Sequence, residues 1–259
     1  MNIYVCIKQV PDTEAVLNIK EGKFINEENI KWIISPYDEI VLEFALQLKE
    51  KNSDFKVTLI TVGPPRAEST IRSGLAMGAE NAIHIEASDY LDHKTIAKAL
   101  AQALKNEGDF GVIFTGKQAI DDDASLTHIY LAQSLEIPVV TNVIGFQMEA
   151  EKVIVEREID QGAREKIEMS IPCVIAATKG INDVNEPRYA TLMGIMKAKK
   201  IPIKKISIQD LGIEGATPTV TTEKLEAPPE KPSGRIIEGE VTESIKELVR
   251  LLKDEAKVL

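Results

Sequence analysis

Strand-length runs that are apolar throughout, separated by amphipathic helical patterns, constrain the fold of this chain more than any other feature. Residues 2–8 (NIYVCIK), 56–62 (KVTLITV), 81–85 (NAIHI) and 110–115 (FGVIFT) carry little or no polar face. Such strands need cover on both sides, which points to a parallel sheet between two helical layers. In SPYDEIVLEFALQLKEKN (35–52), Ile40, Val41, Phe44, Ala45 and Leu48 fall on one helical face. Ser35 is placed to cap that helix with Asp38 as its capping-box partner, Pro36 suits the first helical position, and Lys49 and Lys51 complement the C-terminal dipole. A second helix runs from about Arg66 through Ile71 and Leu75, with Gly78 as its left-handed terminus. A third, DHKTIAKALAQALKNEG (92–108), stripes Ile96, Leu100 and Leu104 and stops at Gly108. The expected class is α/β, a doubly wound, Rossmann-like parallel sheet.

From about Val143 the pattern changes. Residues 143–148, 152–159 and 164–171 alternate apolar and charged side chains, with polar breaks at 149–151 and 161–162, and read as an antiparallel hairpin extension. A last buried strand follows at 173–178. The Pro-rich stretch 227–234 has too little apolar matter for a core. The final helical pattern, VTESIKELVRLLKDEAKVL, sets Ile245, Leu248, Val249 and Leu252 on one face and needs something to lie against. The expected organisation is an α/β domain over 1–200 and a C-terminal linker and helical arm over 201–259.

A net charge of −10 argues against a chain that wraps nucleic acid, which takes a surplus of Lys and Arg. Cys6 and Cys173 sit in apolar runs as small buried hydrophobes rather than a disulfide framework. No apolar run reaches the ~18 residues that span a bilayer, and no signal peptide precedes the first strand. These features fit a cytoplasmic protein without membrane insertion. His84, His93 and His128 lie in separate segments without ligand spacing, so no metal site is expected, and no Ser-His-Asp or Cys-His arrangement suggests a catalytic nucleophile.

In a doubly wound sheet, ligands bind where strands end and helices begin. GKQAIDDDASLT (116–127) occupies such a place, between FGVIFT and the helical LTHIYLAQSLE. Gly116 would let backbone approach a phosphate, Lys117 could add charge, and Ser125 and Thr127 offer hydroxyls. The plainer alternative makes Gly116 a turn and the aspartates helix caps. A weaker one lets Asp121, Asp122 and Asp123 hold a divalent cation, although adjacent carboxylates lack a ligand spacing. The segment is not a Walker A loop, because the second Gly-Lys-Ser/Thr element is missing.

GKQAIDDD, together with LAMGAE (75–80), VEREIDQG (155–162) and NEPRYATLMGIMKAKK (185–200), resembles the β subunit of electron transfer flavoprotein, in matching order from residue 1 to about 212. The resemblance implies an adenine-nucleotide-binding fold, paired with an α subunit that carries the electron-transferring FAD. It also implies a site for AMP, or for a second FAD in electron-bifurcating members, on Cys6, on Ser35, Pro36, Tyr37 and Asp38, on Val62, and on Gly116, Lys117, Gln118, Ala119, Ile120, Asp121, Asp122, Asp123, Ala124, Ser125, Leu126 and Thr127. Main-chain N–H groups around 118–124 would cradle phosphate while the carboxylates cap or face solvent, and Tyr37 would stand near a flavin ring.

The same resemblance makes 185–200 a recognition loop. Leu192 would dock into a partner flavin dehydrogenase, with Met193 and Ile195 beside it and Lys197 among the lysines that steer encounter. Read without the family, the stretch is a surface loop with a basic tail, broken by Pro187. LMGIMKAKK stands where many AMP-containing relatives read LPNIMKAKK, and DVNEPRY replaces LRLNEPRY. Both departures lean toward microbial branches that include bifurcating members, and so toward FAD. The implied function is an electron-relaying subunit with no catalytic acid or base of its own. The rival is a stand-alone adenine-nucleotide sensor or hydrolase on the same fold.

Overall fold

The apolar runs become neighbours because both their faces need cover. β1 (Asn2–Cys6), β2 (Lys56–Gly63), β3 (Asn81–Glu86) and β4 (Val112–Gly116) are buried along their centres, and they pair in parallel in the order β4-β1-β2-β3. The structure is a computed structural model that describes residues 1–88, 91–149, 151–213, 220–229 and 233–259. Five further strands are β5 (Val139–Met148), β6 (Lys152–Glu158), β7 (Arg164–Ser170), β8 (Cys173–Ala177) and β9 (Ile203–Ser207). Among the described residues they complete a nine-stranded sheet, ordered β7-β6-β5-β8-β4-β1-β2-β3-β9. β6 runs antiparallel to both its neighbours, β5 and β7, as the hairpin pattern predicts, and the other described pairings of this sheet are parallel.

Two strands differ from the sequence reading. β5 begins at Val139 rather than 143, because its first residues pair in parallel with β8 before the strand turns to β6. β9 was not anticipated. Lys204 and Lys205 stand on an edge strand beside β3, where charged side chains reach solvent and salt-bridge partners, so the segment lacks the apolar signature of a central strand.

Helices α1 (Pro36–Lys51) and α2 (Glu68–Met77) cover one face, and α3 (His93–Glu107) and α4 (Thr127–Leu135) the other. That is the expected doubly wound, Rossmann-like arrangement. On the α1 face, Phe44 meets Phe114 of β4 and Phe146 of β5 edge-on, with ring centroids 5.6 Å away in each case. This contact packs the middle of α1 against β4 and β5. Asp92 caps α3 by accepting the Thr95 N–H at 2.9 Å, and Gly108 ends that helix at φ 80°.

The α1 cap is built differently from the expectation. Ser35 holds the N-cap position, but its side chain makes no capping bond, and Asp38 is engaged elsewhere. The segment at 192–198, read as a loop, is a short helix, α5 (Leu192–Ala198), capped by Thr191, whose hydroxyl accepts the Gly194 N–H at 3.0 Å. Pro187 lies before the helix and does not interrupt it.

By internal packing the described chain divides into two units, one of Met1–Leu17 with Asn26–Glu223, the other of Asn18–Ile25 with Lys224–Leu259. In the second, a small ribbon pairs Ile19–Lys20 with Phe24–Ile25, and Leu225 N–H donates to the Gly22 carbonyl at 2.7 Å. Its helix, α6 (Val241–Arg250), exposes Ile245, Leu248 and Val249. The regular α-helix gives way to a wider π turn at Leu251–Glu255, short of the chain end expected from the pattern. Of the Pro-rich stretch 227–234, residues 230–232 lie outside the described residues, as does residue 150 of the break at 149–151. Among the described residues no helix is long and apolar enough to cross a membrane.

Candidate functional site

β1 and β4 are adjacent, yet the chain leaves β1 toward β2 on one side and leaves β4 toward β5 on the other. Their carboxyl ends therefore open a crevice at the switch point of the sheet. Of the residues singled out in the sequence, Cys6, Asp38, Val62, Gly116, Gln118, Ala119, Asp122, Ser125, Leu126 and Thr127 border it. Ser35, Pro36, Tyr37, Lys117, Ile120, Asp121, Asp123 and Ala124 do not line it. The crevice also takes Lys8, Arg66, His93, Ile96, Thr115 and His128, which sequence reasoning missed. Lys8 and Thr115 were legible only as polar residues at the ends of apolar strands.

Asp38 organises the crevice's rear wall. Its buried carboxylate accepts the Lys8 N–H at 2.9 Å and the Gly116 N–H at 2.8 Å, joining α1 to the ends of both β1 and β4. A Cβ at Gly116 would fall 2.6 Å from both Asp38 Oδ1 and Tyr37 Cβ. The glycine is thus required by the approach of α1, and its N–H is already committed. Burial pushes the Asp38 carboxyl up to about 7, against the two N–H donors and the Lys8 charge that favour the anion, while Asp121 adds to the rise.

The three aspartates neither cap a helix nor simply face solvent. α4 starts only at Thr127, and residues 120–122 form a turn. The Lys8 ammonium pairs with Asp121 at 2.8 Å and with Asp122 at 3.0 Å. Burial alone would pull the Lys8 ammonium down, but the two carboxylates outweigh it and hold it above its usual range. Asp122 also accepts the Ala124 N–H at 3.1 Å and faces His93 Nε2 at 3.5 Å. Asp123, with φ 50°, takes the Gln118 side-chain amide at 2.6 Å. Lys8, just past the end of β1, thereby offsets part of the loop's negative charge. Among the described residues no group of His, Cys, Asp and Glu stands ready to hold a metal ion.

The Lys117 ammonium lies over the Tyr37 ring, 5.1 Å from its centroid, and the Lys117 main-chain N–H donates to the Ala177 carbonyl at 2.8 Å. The N–H groups of Asp123 and Ala124 are likewise used within the loop. Among the described residues the N–H groups of Gln118, Ala119, Ile120, Asp121, Asp122, Ser125, Leu126 and Thr127 meet no acceptor, so the available donors lie along the first part of the loop and at the start of α4. The inner walls are apolar, from Ile60 and Val62 of β2 and Leu91, Ile96 and Leu100 at α3. Burial pulls the His128 imidazole down to about 4, which keeps it neutral. Burial pushes the Cys6 thiol up, with Asp38 adding to the rise, and the Cys173 thiol up to about 12, so neither is a ready nucleophile. What this arrangement can do is hold an anion at its mouth and a flat apolar group within.

A second surface surrounds α5. Leu192 is 75% exposed and Met193 82%, with Tyr189, Ile195 and Met196 also open to solvent. Two arginines tie down their platform. The Arg188 guanidinium donates to the buried Glu43 carboxylate at 2.7 and 3.0 Å and to Glu50 at 2.6 Å. Arg72 donates to the carbonyls of Ala198 at 2.7 Å and Ile201 at 2.6 Å, closing the C-terminal end of α5.

Comparison with known proteins agrees with this geometry. The family model described as "Electron transfer flavoprotein domain" matches residues 23–211. The chain is 39% identical to the electron transfer flavoprotein subunit beta of Bacillus subtilis (strain 168), over all of both chains. It is 37% identical to the mitochondrial subunit beta of Arabidopsis thaliana, again over all of both. It is 36% identical to the caffeyl-CoA reductase-Etf complex subunit CarD of Acetobacterium woodii, over 98% of each.

Proposed function

The chain belongs to the electron transfer flavoprotein family, and from that premise we propose that it acts as the β subunit of a heterodimer, binding an adenine nucleotide in the crevice between β1 and β4. It is an electron-transfer protein. Supporting the nucleotide is one conjunction: main-chain donors without acceptors at the start of α4, beside an apolar slot whose wall carries the orphaned hydroxyl of Thr115. The residues present fit a nucleotide. The donors suit a phosphoryl group, the apolar walls a base, and the Lys8 pairing relieves the repulsion three aspartates would otherwise exert on a phosphate.

Of FAD and AMP, the sequence departures at 183–184 and 193–194 favour FAD in this subunit, with the electron-transferring FAD on the α subunit. Bound flavin supplies the redox chemistry. The chain's own residues bind and orient: Ser125 to Thr127 face the phosphoryl end, Asp38 holds the mouths of β1 and β4 together, and the apolar walls exclude water. Leu192, Met193, Ile195 and Lys197 would meet a partner flavin dehydrogenase, and the exposed stripe on α6 would lie on the α subunit. The free, buried thiols of Cys6 and Cys173 support a cytoplasmic setting.

The test is to purify the chain with its partner, read the flavin absorbance per heterodimer and extract bound AMP. Two flavins are expected, the stoichiometry of a bifurcating carrier. One flavin with AMP would replace FAD by AMP here, and a colourless monomer that hydrolyses ATP would overturn the carrier reading.

A further inference from the structure

Thr115 is the last side chain of β4 before Gly116. It is 6% exposed, and its Oγ1 has no hydrogen-bond partner among the described residues. Buried hydroxyls in folded proteins are almost always paired, so an orphan in the wall of an open crevice marks where a partner atom arrives. Strand alternation sets its direction. Phe114 joins the core on the α1 face, and Ile113 joins the core under α3 and α4. Thr115 therefore points with Ile113, into the crevice that Ile60, Ile96 and Leu100 also line.

The crevice's inner lining includes Ile60, Ile96 and Leu100, and His128 contributes an uncharged ring. The main-chain donors that suit an anion belong to the loop and to the start of α4, outside the sheet, whereas Thr115 belongs to the strand itself. A ligand with an anionic end and a flat heteroaromatic end can satisfy both, with its ring inward. We propose that Thr115 Oγ1 reads the nucleobase, forming a hydrogen bond with one heteroatom on its edge and so setting which base the crevice accepts. This rests on the nucleotide reading given above.

The hydroxyl can donate to a ring nitrogen or accept from an exocyclic amine, and both are accessible to one experiment. The full chain, as wild type and as Thr115→Val and Thr115→Ser, is titrated calorimetrically with AMP, its 1-, 3- and 7-deaza analogues, and purine riboside monophosphate. Valine is nearly isosteric with threonine, and circular dichroism checks that the variants fold. In the wild type one analogue is expected to bind more weakly than AMP. Thr115→Val should bind AMP roughly five- to thirtyfold more weakly and should no longer distinguish that analogue. Thr115→Ser, which keeps the hydroxyl, should retain the distinction.

Valine binding AMP within twofold of wild type would overturn the inference while leaving the nucleotide site standing. So would a weakened valine variant that still ranks the analogues as wild type does, or a folded serine variant that loses the ranking. A wild-type chain that binds neither AMP nor FAD would remove the nucleotide reading itself, and this inference with it.

Discussion

The Asp38 carboxylate accepts the main-chain N–H of Gly116 at 2.8 Å, tying the first turn of α1 to the mouth of the strand that leads into the acidic loop. Because burial raises this carboxyl to about 7, the folded chain holds a proton there that the unfolded chain has already released. Between about pH 4 and pH 7 the folded state binds more protons at this site, so stability falls as pH rises, by at most ~1.4 kcal/mol per pH unit. Asp38→Asn removes that slope. Urea midpoints of the two proteins at pH 4, 5.5 and 7 should show the wild type's advantage shrinking toward pH 7. Parallel profiles would mean that Asp38 does not titrate in this window.

Lys8 is a second point of control. Its partners are each about a third exposed, so Lys8→Met should cost no more than about 1 kcal/mol of stability. Affinity for AMP should suffer more, by about tenfold, because Asp121 and Asp122 then stand uncompensated near the phosphoryl donors. Added salt should narrow the gap by screening those carboxylates, and Asp121→Asn with Asp122→Asn in the same chain should restore binding. A Lys8→Met protein with unchanged AMP affinity at low salt would show that the ion pairs only shape the loop.

The sequence made the doubly wound core legible because β1 to β4 and α1 to α3 are set by local periodicity, and burial rewards that periodicity directly. What it could not carry were relationships between distant residues. Ser35 and Asp38 have the spacing of a capping box, but Lys8 and Gly116 offer N–H donors that reach Asp38 only once the sheet has formed. The aspartates looked like caps because Lys8 is more than a hundred positions away in sequence. β9 was hidden by the lysines an edge strand tolerates. α5 was hidden by Gly194 and Pro187, which argue against a helix unless packing onto α2 is known. The crevice was located by the ends of its strands, while the polar residues that complete it, Thr115 and His93 among them, carry no motif.

The α5 surface separates recognition from stability. Leu192 is largely exposed, so Leu192→Ala should leave the urea midpoint unchanged within about 0.5 kcal/mol while slowing electron transfer to a partner flavin dehydrogenase. Arg188→Ala should do the reverse in part. Burial pushes the Glu43 carboxyl up, yet the Arg188 and Gln47 hydrogen bonds outweigh it and hold it below the usual range. Without the Arg188 side chain that buried carboxylate keeps only Gln47 and the main-chain N–H of residue 188, a loss of roughly 2–3 kcal/mol once the arginine's partial exposure is allowed for. Arg188→Lys should recover only part, since a lysine cannot present the paired geometry. Leu192→Ala transferring electrons as fast as wild type would remove Leu192 from the docking surface.

Gly194 tests whether α5 must be rigid to present that surface. A Cβ at this position would sit 2.4 Å from the Ala76 carbonyl oxygen at the end of α2, and backbone cannot yield as a flexible side chain does. Gly194→Ala should therefore push α5 off α2, at a cost of about 1–3 kcal/mol, which outweighs the gain of up to ~1 kcal/mol that alanine brings to a helix interior. The shift also strains the Arg72 bonds to Ala198 and Ile201. Hydrogen exchange should rise at 192–201 and stay unchanged at β1 and β4, with dehydrogenase coupling weakened although Leu192 is intact. A Gly194→Ala protein more stable than wild type, with exchange at 192–201 unaltered, would show that α5 has room to adjust and that the close approach to Ala76 does not fix the patch.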